Sequence, residues 1–214
     1  MSGSSDSLAQ ASMILTDQNA LRAQIEHALG SHAVREVAPG PGLRRAAVLL
    51  PLVAASGGAA LILTKRTDLV EHHKGQISFP GGALEEGERP LDAVLRETYE
   101  EIGIPPADII MLGRLDDEVM PVSGFLVTPF VGLVPHPYRL RVNPHEVQAV
   151  LQVPLRVLLN PQNVRTEQWE QTGRDAIVYF YTAGDQVIWG FTARIIARFL
   201  AVAFGAPLRT MEAG

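Results

Sequence analysis

Gly82-Ala83-Leu84-Glu85-Glu86-Gly87-Glu88-Arg89-Pro90-Leu91-Asp92-Ala93-Val94-Leu95-Arg96-Glu97-Thr98-Tyr99-Glu100-Glu101-Ile102-Gly103-Ile104 carries four acids, Glu88, Glu97, Glu100 and Glu101, at spacings that suit a metal site. The run from Ala93 to Ile102 contains good helix formers and no Gly or Pro. Glu97 and Glu101 are therefore i, i+4 neighbours on one helix face, with Glu100 at i+3 from Glu97. Like charges this close raise one another's pKa and strain the helix, a cost tolerated when a cation sits among them. A hard divalent ion, Mg²⁺ or Mn²⁺, is implied. The competing reading is a solvated helix face, but such faces interleave Lys or Arg at i+4 from each Glu, and here Arg96 has no basic company in its helix. Gly81-Gly82 allow a tight turn or a close backbone approach before the helix, and Gly103 is a natural stop.

Composition narrows the alternatives. The 214 residues, 47% of them hydrophobic, suffice for one domain with appendages. A net charge of −5, with no basic run longer than a pair such as Arg44-Arg45, argues against a nucleic-acid polymer as partner. With no cysteine there is no thiol catalysis, disulfide or zinc-thiolate site. The longest apolar stretch, Ala46 to Leu63, is interrupted by Pro51, Ser56, Gly57 and Gly58, so it reads as a hairpin and not as a membrane span. No secretory signal is visible, and the expected location is cytoplasmic.

Along the chain, Met1 to Ser12 reads as a disordered tail, followed by a helix from Gln18 to Leu29 capped by Thr16-Asp17 and ending at Gly30. Val34 to Pro41 is a linker. Strands are expected at Ala46 to Val53, Ala59 to Thr64, Ile109 to Leu115, Phe125 to Val134, Ala176 to Thr182 and Val187 to Trp189. Pro144 to Leu151 and Leu155 to Leu159 read as helical pieces. Thr192 to Phe204 reads as an amphipathic helix ending at Gly205, packed either within the chain or across a homodimer. The alternation predicts a mixed sheet sandwiched between helices.

The spacing Gly82, five residues, Glu88, seven residues, Arg96-Glu97, two residues, Glu100-Glu101, one residue, Gly103 resembles the Nudix box of hydrolases that act on nucleoside-diphosphate-linked substrates. Thr98 departs from it, standing where the family prefers an aliphatic residue. Upstream, Thr64, Arg66, His73, Gly75, Gln76, Phe79, Pro80, Gly81 and Gly82 match in register the segment that precedes the box in the coenzyme A pyrophosphatase subfamily. Thr67, Val70, Glu71 and Ile77 depart from that pattern, and Glu71 reverses a charge where the subfamily has Arg. Gly113 to Asp117, Pro121 to Phe130, Asn143 to Leu159 and Ile188 to Ala193 are also similar to the subfamily.

The resemblance implies an α/β (α+β) fold, a Nudix-type α/β/α sandwich over residues 41–206. Residues 1–40 would be a tail with a short helix, and 207–214 a second tail. It implies hydrolysis of coenzyme A or an acyl derivative to 3′,5′-ADP and the phosphopantetheine half, a small nucleotide-type substrate. Glu97 and Glu101 would be the principal metal ligands, Glu100 an additional one, and Glu88 would act through water. Arg96 would orient a carboxylate bidentately, a task a Lys cannot perform. Glu97 could serve as general base, and Glu146 is the candidate from outside the box; alternatively Glu146 is a first-turn helix acid. Arg66, His73, Gly75, Gln76, Phe79, Gly81 and Gly82 would line the substrate site. For His73 a surface or structural role stands equally beside phosphate donation, and Phe130, Trp189 and Phe191 are expected in the core. Other Nudix substrates, namely ADP-ribose, a dinucleotide or a nucleoside triphosphate, and a non-catalytic ligand-binding module remain the alternatives.

Overall fold

The computed structural model describes residues 15–55, 58–67, 75–120, 123–171 and 174–208. The expected N-terminal tail, the Ser56-Gly57 turn, Glu71 and His73 lie outside these. Helix α1 (Gln18–Ser31) is capped by the Asp17 carboxylate, which accepts from the backbone N–H groups of Asn19 and Ala20. It passes through Gly30 instead of stopping there. No atom lies near the place of a Gly30 Cβ, so nothing at that exposed position forces a break.

Two long strands follow, β1 (Arg44–Ala55) and β2 (Gly58–Arg66), then the short β3 (Ile77–Ser78) and β4 (Gly81–Ala83). The acidic helix α2 (Pro90–Ile102) leads to β5 (Ile110–Arg114), β6 (Glu118–Met120), β7 (Phe125–Val134) and β8 (Val147–Pro154). A short helix α3 (Leu155–Leu158) precedes β9 (Val164–Gln171), β10 (Arg174–Ala183), β11 (Gln186–Trp189) and helix α4 (Gly190–Phe204). The eight-stranded sheet has the order β3-β2-β1-β7-β5, with β4 on β1, β6 on β7 and β8 on β2. It is mixed, because β1 and β7 run parallel while the other pairs are antiparallel.

Alternation along the central strands shows why helices cover both faces. Ala47, Leu49 and Val53 of β1, with Ala60 and Ile62 of β2, meet Val94 and Ile102 of α2 in one core. Leu50 and Leu52, with Leu61 and Leu63, face the other way, toward Leu21, Ile25 and Leu29 of α1 and Ile195, Ile196 and Phe199 of α4. The N-terminal helix is thus part of the packed body, and the mixed sheet between helices is as the sequence predicts.

Three sequence readings are corrected. Pro144 to Leu151 is not helical: residues 144–146 form a turn and β8 pairs along β2 from Arg66↔Val147 to Ala60↔Pro154. Tertiary pairing with an apolar partner strand overrides the local helix signals there. A second, three-stranded sheet, β11-β10-β9, was anticipated only as the β10–β11 hairpin. Trp189, expected in the core, is 42% exposed, whereas Phe130 and Phe191 are partly buried against the two cores. Helix α4 packs within the chain: eight of its residues from Thr192 to Ala203 are buried, and Gln24 donates to the Ala203 carbonyl at 3.0 Å. Among the described residues no helix is long and apolar enough to cross a membrane.

The Gly81-Gly82 pair makes a close approach and not a turn. Both residues lie in β4, paired to Val48 and Ala47 of β1. A Cβ on Gly81 would stand 2.3 Å from the Ala47 carbonyl oxygen and 2.7 Å from Val48 Cα, at a φ of 141°. Gly81→Ala is therefore expected to cost about 2 to 4 kcal/mol, through overpacking against backbone and backbone strain. Urea denaturation would measure this, and a loss below about 0.5 kcal/mol would contradict the tight contact.

Candidate active site

Helix α2 starts with Pro90 at its first position and ends at Gly103, whose φ of 74° suits the left-handed cap. Its 3.6-residue period buries Ala93, Val94, Thr98, Glu101 and Ile102 and leaves Glu100 outside. Thr98 is fully buried at the aliphatic position of the box, and it satisfies its hydroxyl by donating to the Val94 carbonyl at 2.6 Å. Glu101, by contrast, is a carboxylate on the apolar face, 3% exposed.

Arg96 binds three acids at once. Its Nε and Nη2 donate to the two oxygens of Glu88, both at 3.0 Å, while Nη1 donates to Glu97 at 2.9 Å and Glu100 at 3.1 Å. Glu88 also accepts from the Glu85 N–H at 2.9 Å, and the Arg96 bonds hold its carboxyl below the usual range. Glu88 thereby locks the loop before the helix onto Arg96. Arg89, the other basic residue nearby, pairs with Asp92.

Behind this clamp, burial pushes the Glu101 carboxyl up to about 8, with the charges of Glu97 and Glu146 adding to the rise and Arg66 opposing it. Glu97 is raised as well, chiefly by burial, against Arg96. The Glu97 carboxylate is seated on Gly82, where a Cβ would come within 2.5 Å of its Cδ. Glu101 Oε2 and Arg66 Nε are buried without a hydrogen-bond partner among the described residues. Such orphaned groups cost free energy unless something else satisfies them.

Arg66 reaches this position from the end of β2, where the pairing with β8 shifts register between Lys65 and Arg66, an irregularity of the kind that re-aims a side chain. The Arg66 N–H donates to the Gln76 carbonyl at 3.0 Å. Glu146 lies in the turn before β8 and not in a helix's first turn, and there its charge acts on both Glu97 and Glu101. The structure thus brings together Arg66, Gly81, Gly82, Glu97, Glu101 and Glu146, with Arg96 and Glu100 at the outer side. Gly75 and Gln76 stand at the turn into β3. Phe79 does not join the site: its ring is buried in the larger core, leaving no face for a substrate. Asn143 and Thr67, which hold the Glu146 turn, are not among the site residues expected from the sequence, although Asn-Pro at 143–144 is a turn signal.

The donor set fits Mg²⁺ or Mn²⁺, since it is all oxygen and includes a buried carboxyl oxygen with no hydrogen-bond partner among the described residues. Among the described residues the acids do not already stand as a closed ligand cage. Arg96 accounts for this, because it draws Glu97 and Glu100 to itself as their counter-charge.

A family model described as NUDIX domain matches residues 43–174. "Uncharacterized Nudix hydrolase NudL" of Enterobacter sp. (strain 638) is 39% identical over 163 residues, 76% of this chain and 83% of that protein. The protein of the same name from Photorhabdus laumondii is 38% identical over 154 residues, 72% of this chain and 81% of the relative. Among solved structures, the NUDIX domain of Shewanella oneidensis NrtR complexed with ADP ribose is similar with a TM-score of 0.46 and 18% identity, over 56% of this chain and 78% of that one.

The raised Glu101 carboxyl sets a direction for stability. Between about pH 4.5 and 8 the unfolded chain has released this proton while the metal-free folded protein retains it, so stability falls as pH rises through that window. Glu97 acts in the same sense, and the lowered acids Glu88 and Asp116 act at lower pH. With chelator present, the melting temperature should drop from pH 5 to pH 8 more steeply for the wild type than for Glu101→Gln, which fixes the neutral form. Equal slopes would contradict the buried, protonated state of Glu101.

Proposed function

The chain belongs to the Nudix hydrolase family, and we propose that it hydrolyses the pyrophosphate of coenzyme A or an acyl derivative in the cytoplasm, releasing 3′,5′-ADP and (acyl-)4′-phosphopantetheine. The observation that carries the hydrolytic part is the buried Glu101 carboxyl, set beside Glu97, Glu146 and Arg66, with its Oε2 and the Arg66 Nε unpartnered among the described residues. An acid held this way against desolvation and like charge is relieved by a cation bound beside it.

Glu97 and Glu101 would hold Mg²⁺ or Mn²⁺, with Glu100 as an additional ligand once Arg96 releases it. Such an ion, when bound, neutralises phosphate charge and lowers the pKa of a coordinated water. Phosphoanhydride hydrolysis asks little covalent chemistry of a protein beyond positioning and charge. Arg66 offers a partly buried guanidinium for a phosphate oxygen, and Gly82 keeps a side chain out of the space next to the Glu97 carboxylate. Glu146, on a separate turn, is the base that takes the proton of the attacking water. Arg96 remains bound to Glu88 and fixes the helix against its leading loop.

Coenzyme A as substrate rests on the similarity of Thr64 to Gly82 to the coenzyme A pyrophosphatase segment. Glu71, which stands where that segment has Arg, favours a second reading in which the same machinery cleaves ADP-ribose, a dinucleotide or a nucleoside triphosphate. Incubation of purified protein with coenzyme A, ADP-ribose, NADH and a nucleoside triphosphate, each with Mg²⁺, Mn²⁺ or chelator, separates the two by mass spectrometry of the products. Metal-dependent 3′,5′-ADP plus phosphopantetheine is the expected result, and cleavage of another substrate in its place supports the second reading. Glu101→Gln should abolish turnover without lowering the metal-free melting temperature. Turnover that survives that substitution would remove Glu101 from the site, and no turnover of any substrate by the wild type would leave a ligand-binding module.

A further inference from the structure

We infer that Asn143 is a positioning residue that holds the Glu146 carboxylate toward Glu97 and Glu101, making the segment 141–146 part of the hydrolytic apparatus. This rests on the hydrolase reading above.

The segment is tied at both sides to elements of the site. The N–H groups of Arg141 and Asn143 donate to the carbonyls of Ile102 and Glu101, at 3.0 and 2.9 Å, at the end of the acidic helix. On the other side Thr67, just past β2, donates from Oγ1 to the His145 carbonyl and from its N–H to the Glu146 carbonyl, both at 3.0 Å. Glu146 is thus strung between the metal-ligand helix and the strand that presents Arg66.

Backbone ties do not fix a glutamate side chain, which has several rotatable bonds and loses rotamer freedom when ordered. Asn143 supplies the missing restraint. Its Oδ1 accepts from the His145 N–H at 3.1 Å, and its carbonyl accepts from the N–H groups of Glu146 and Val147. That turn orients the amide so that Nδ2 donates to Glu146 Oε1 at 3.1 Å. A neutral amide is suited to the task. Arg or Lys in its place would neutralise the carboxylate it held, whereas an amide directs one oxygen and leaves the charge available to accept a proton.

A purely structural role and a positioning role separate at Asn143→Asp. Aspartate makes the same side-chain turn with the His145 N–H, but it lacks the Nδ2 donor and places a like charge against Glu146. With the substrate that the wild type cleaves, Asn143→Asp should lower kcat by roughly tenfold or more. KM should stay within about threefold of the wild-type value, and the melting temperature within about 3 °C. In a Glu146→Gln background the same substitution should add less than about a twofold loss, because its effect runs through Glu146. Mn²⁺ affinity, read by electron paramagnetic resonance without substrate, should stay within about threefold, since the ligand helix is untouched.

A wild-type kcat in Asn143→Asp overturns the inference, and so does an equal loss in the Glu146→Gln background or a collapse of Mn²⁺ affinity. Should Asn143→Asp not fold, Asn143→Ser, whose hydroxyl can still accept from the His145 N–H, carries the same cycle with the same outcomes. Each of these failures would leave the hydrolase reading standing. A wild type that cleaves nothing overturns both.

Discussion

The site depends on how closely the β4 backbone lies against β1. Gly81 leaves no room for a side chain between β4 and the Ala47-Val48 backbone, and Gly82 leaves none between β4 and the Glu97 carboxylate. The acidic helix therefore rests directly on main chain, and its height above the sheet is set by atoms that cannot change rotamer. Its rotation is set by Val94 and Ile102, which enter the core shared with β1 and β2. With height and rotation fixed, the helical period determines the rest: Glu100 falls outside, Glu97 at the boundary and Glu101 inside.

That placement creates an electrostatic problem that the fold solves only in part. Arg96 compensates the outer acids with a rigid fork, which also explains why the box contains an acid, Glu88, far from the others in sequence. The inner acid, Glu101, has the charge of Arg66 nearby, but its Oε2 has no hydrogen-bond partner among the described residues. Two ways remain to relieve it, a proton or a cation, and they exclude each other on the same oxygen. The metal-free protein takes the proton, at a cost to stability as pH rises. Uptake of an ion would displace that proton, so binding and proton release are linked. Strain of this kind persists where the strained group does chemistry and the surrounding packing holds it in place.

Much of this was legible in the sequence, for reasons that can be named. Strand β7, Phe125–Val134, was placed residue for residue because a long apolar run between turn residues has one reading. The helix stop at Gly103 followed from its left-handed cap. The acids were legible because an i, i+4 carboxylate pair with a third acid beside it and a single Arg in the helix has few structural uses. Residues 144–151 failed because Asn-Pro and an early Glu imitate a helix start, while the evidence for a strand lay in β2, more than eighty residues earlier. Strand β9 was missed because Arg165 to Glu170 are mostly polar and exposed, so no apolar alternation announces them. Phe79 was misjudged because a motif gives order along the chain but not the side of the sheet on which a ring lands.

The misread segment matters most for function, because strand pairing determines where Glu146 and Arg66 stand. A helix over 144–151 would have carried Glu146 by helical rotation, free of β2. As a strand, β8 is locked to β2 in antiparallel register, and Val147 faces Arg66 at its start. A one-residue slip in such a pairing would send both side chains to the opposite face. The irregularity between Lys65 and Arg66 therefore falls where register has the largest consequence, at the last residue of β2. One pairing positions the positive group that opposes Glu101's rise and the negative group that adds to it. The acids of the helix and the two charges at the β2–β8 end come from separate parts of the chain, joined only by the folded sheet. The arrangement of charge around Glu101 is thus a property of tertiary register, while the box alone specifies the acids that the register must serve.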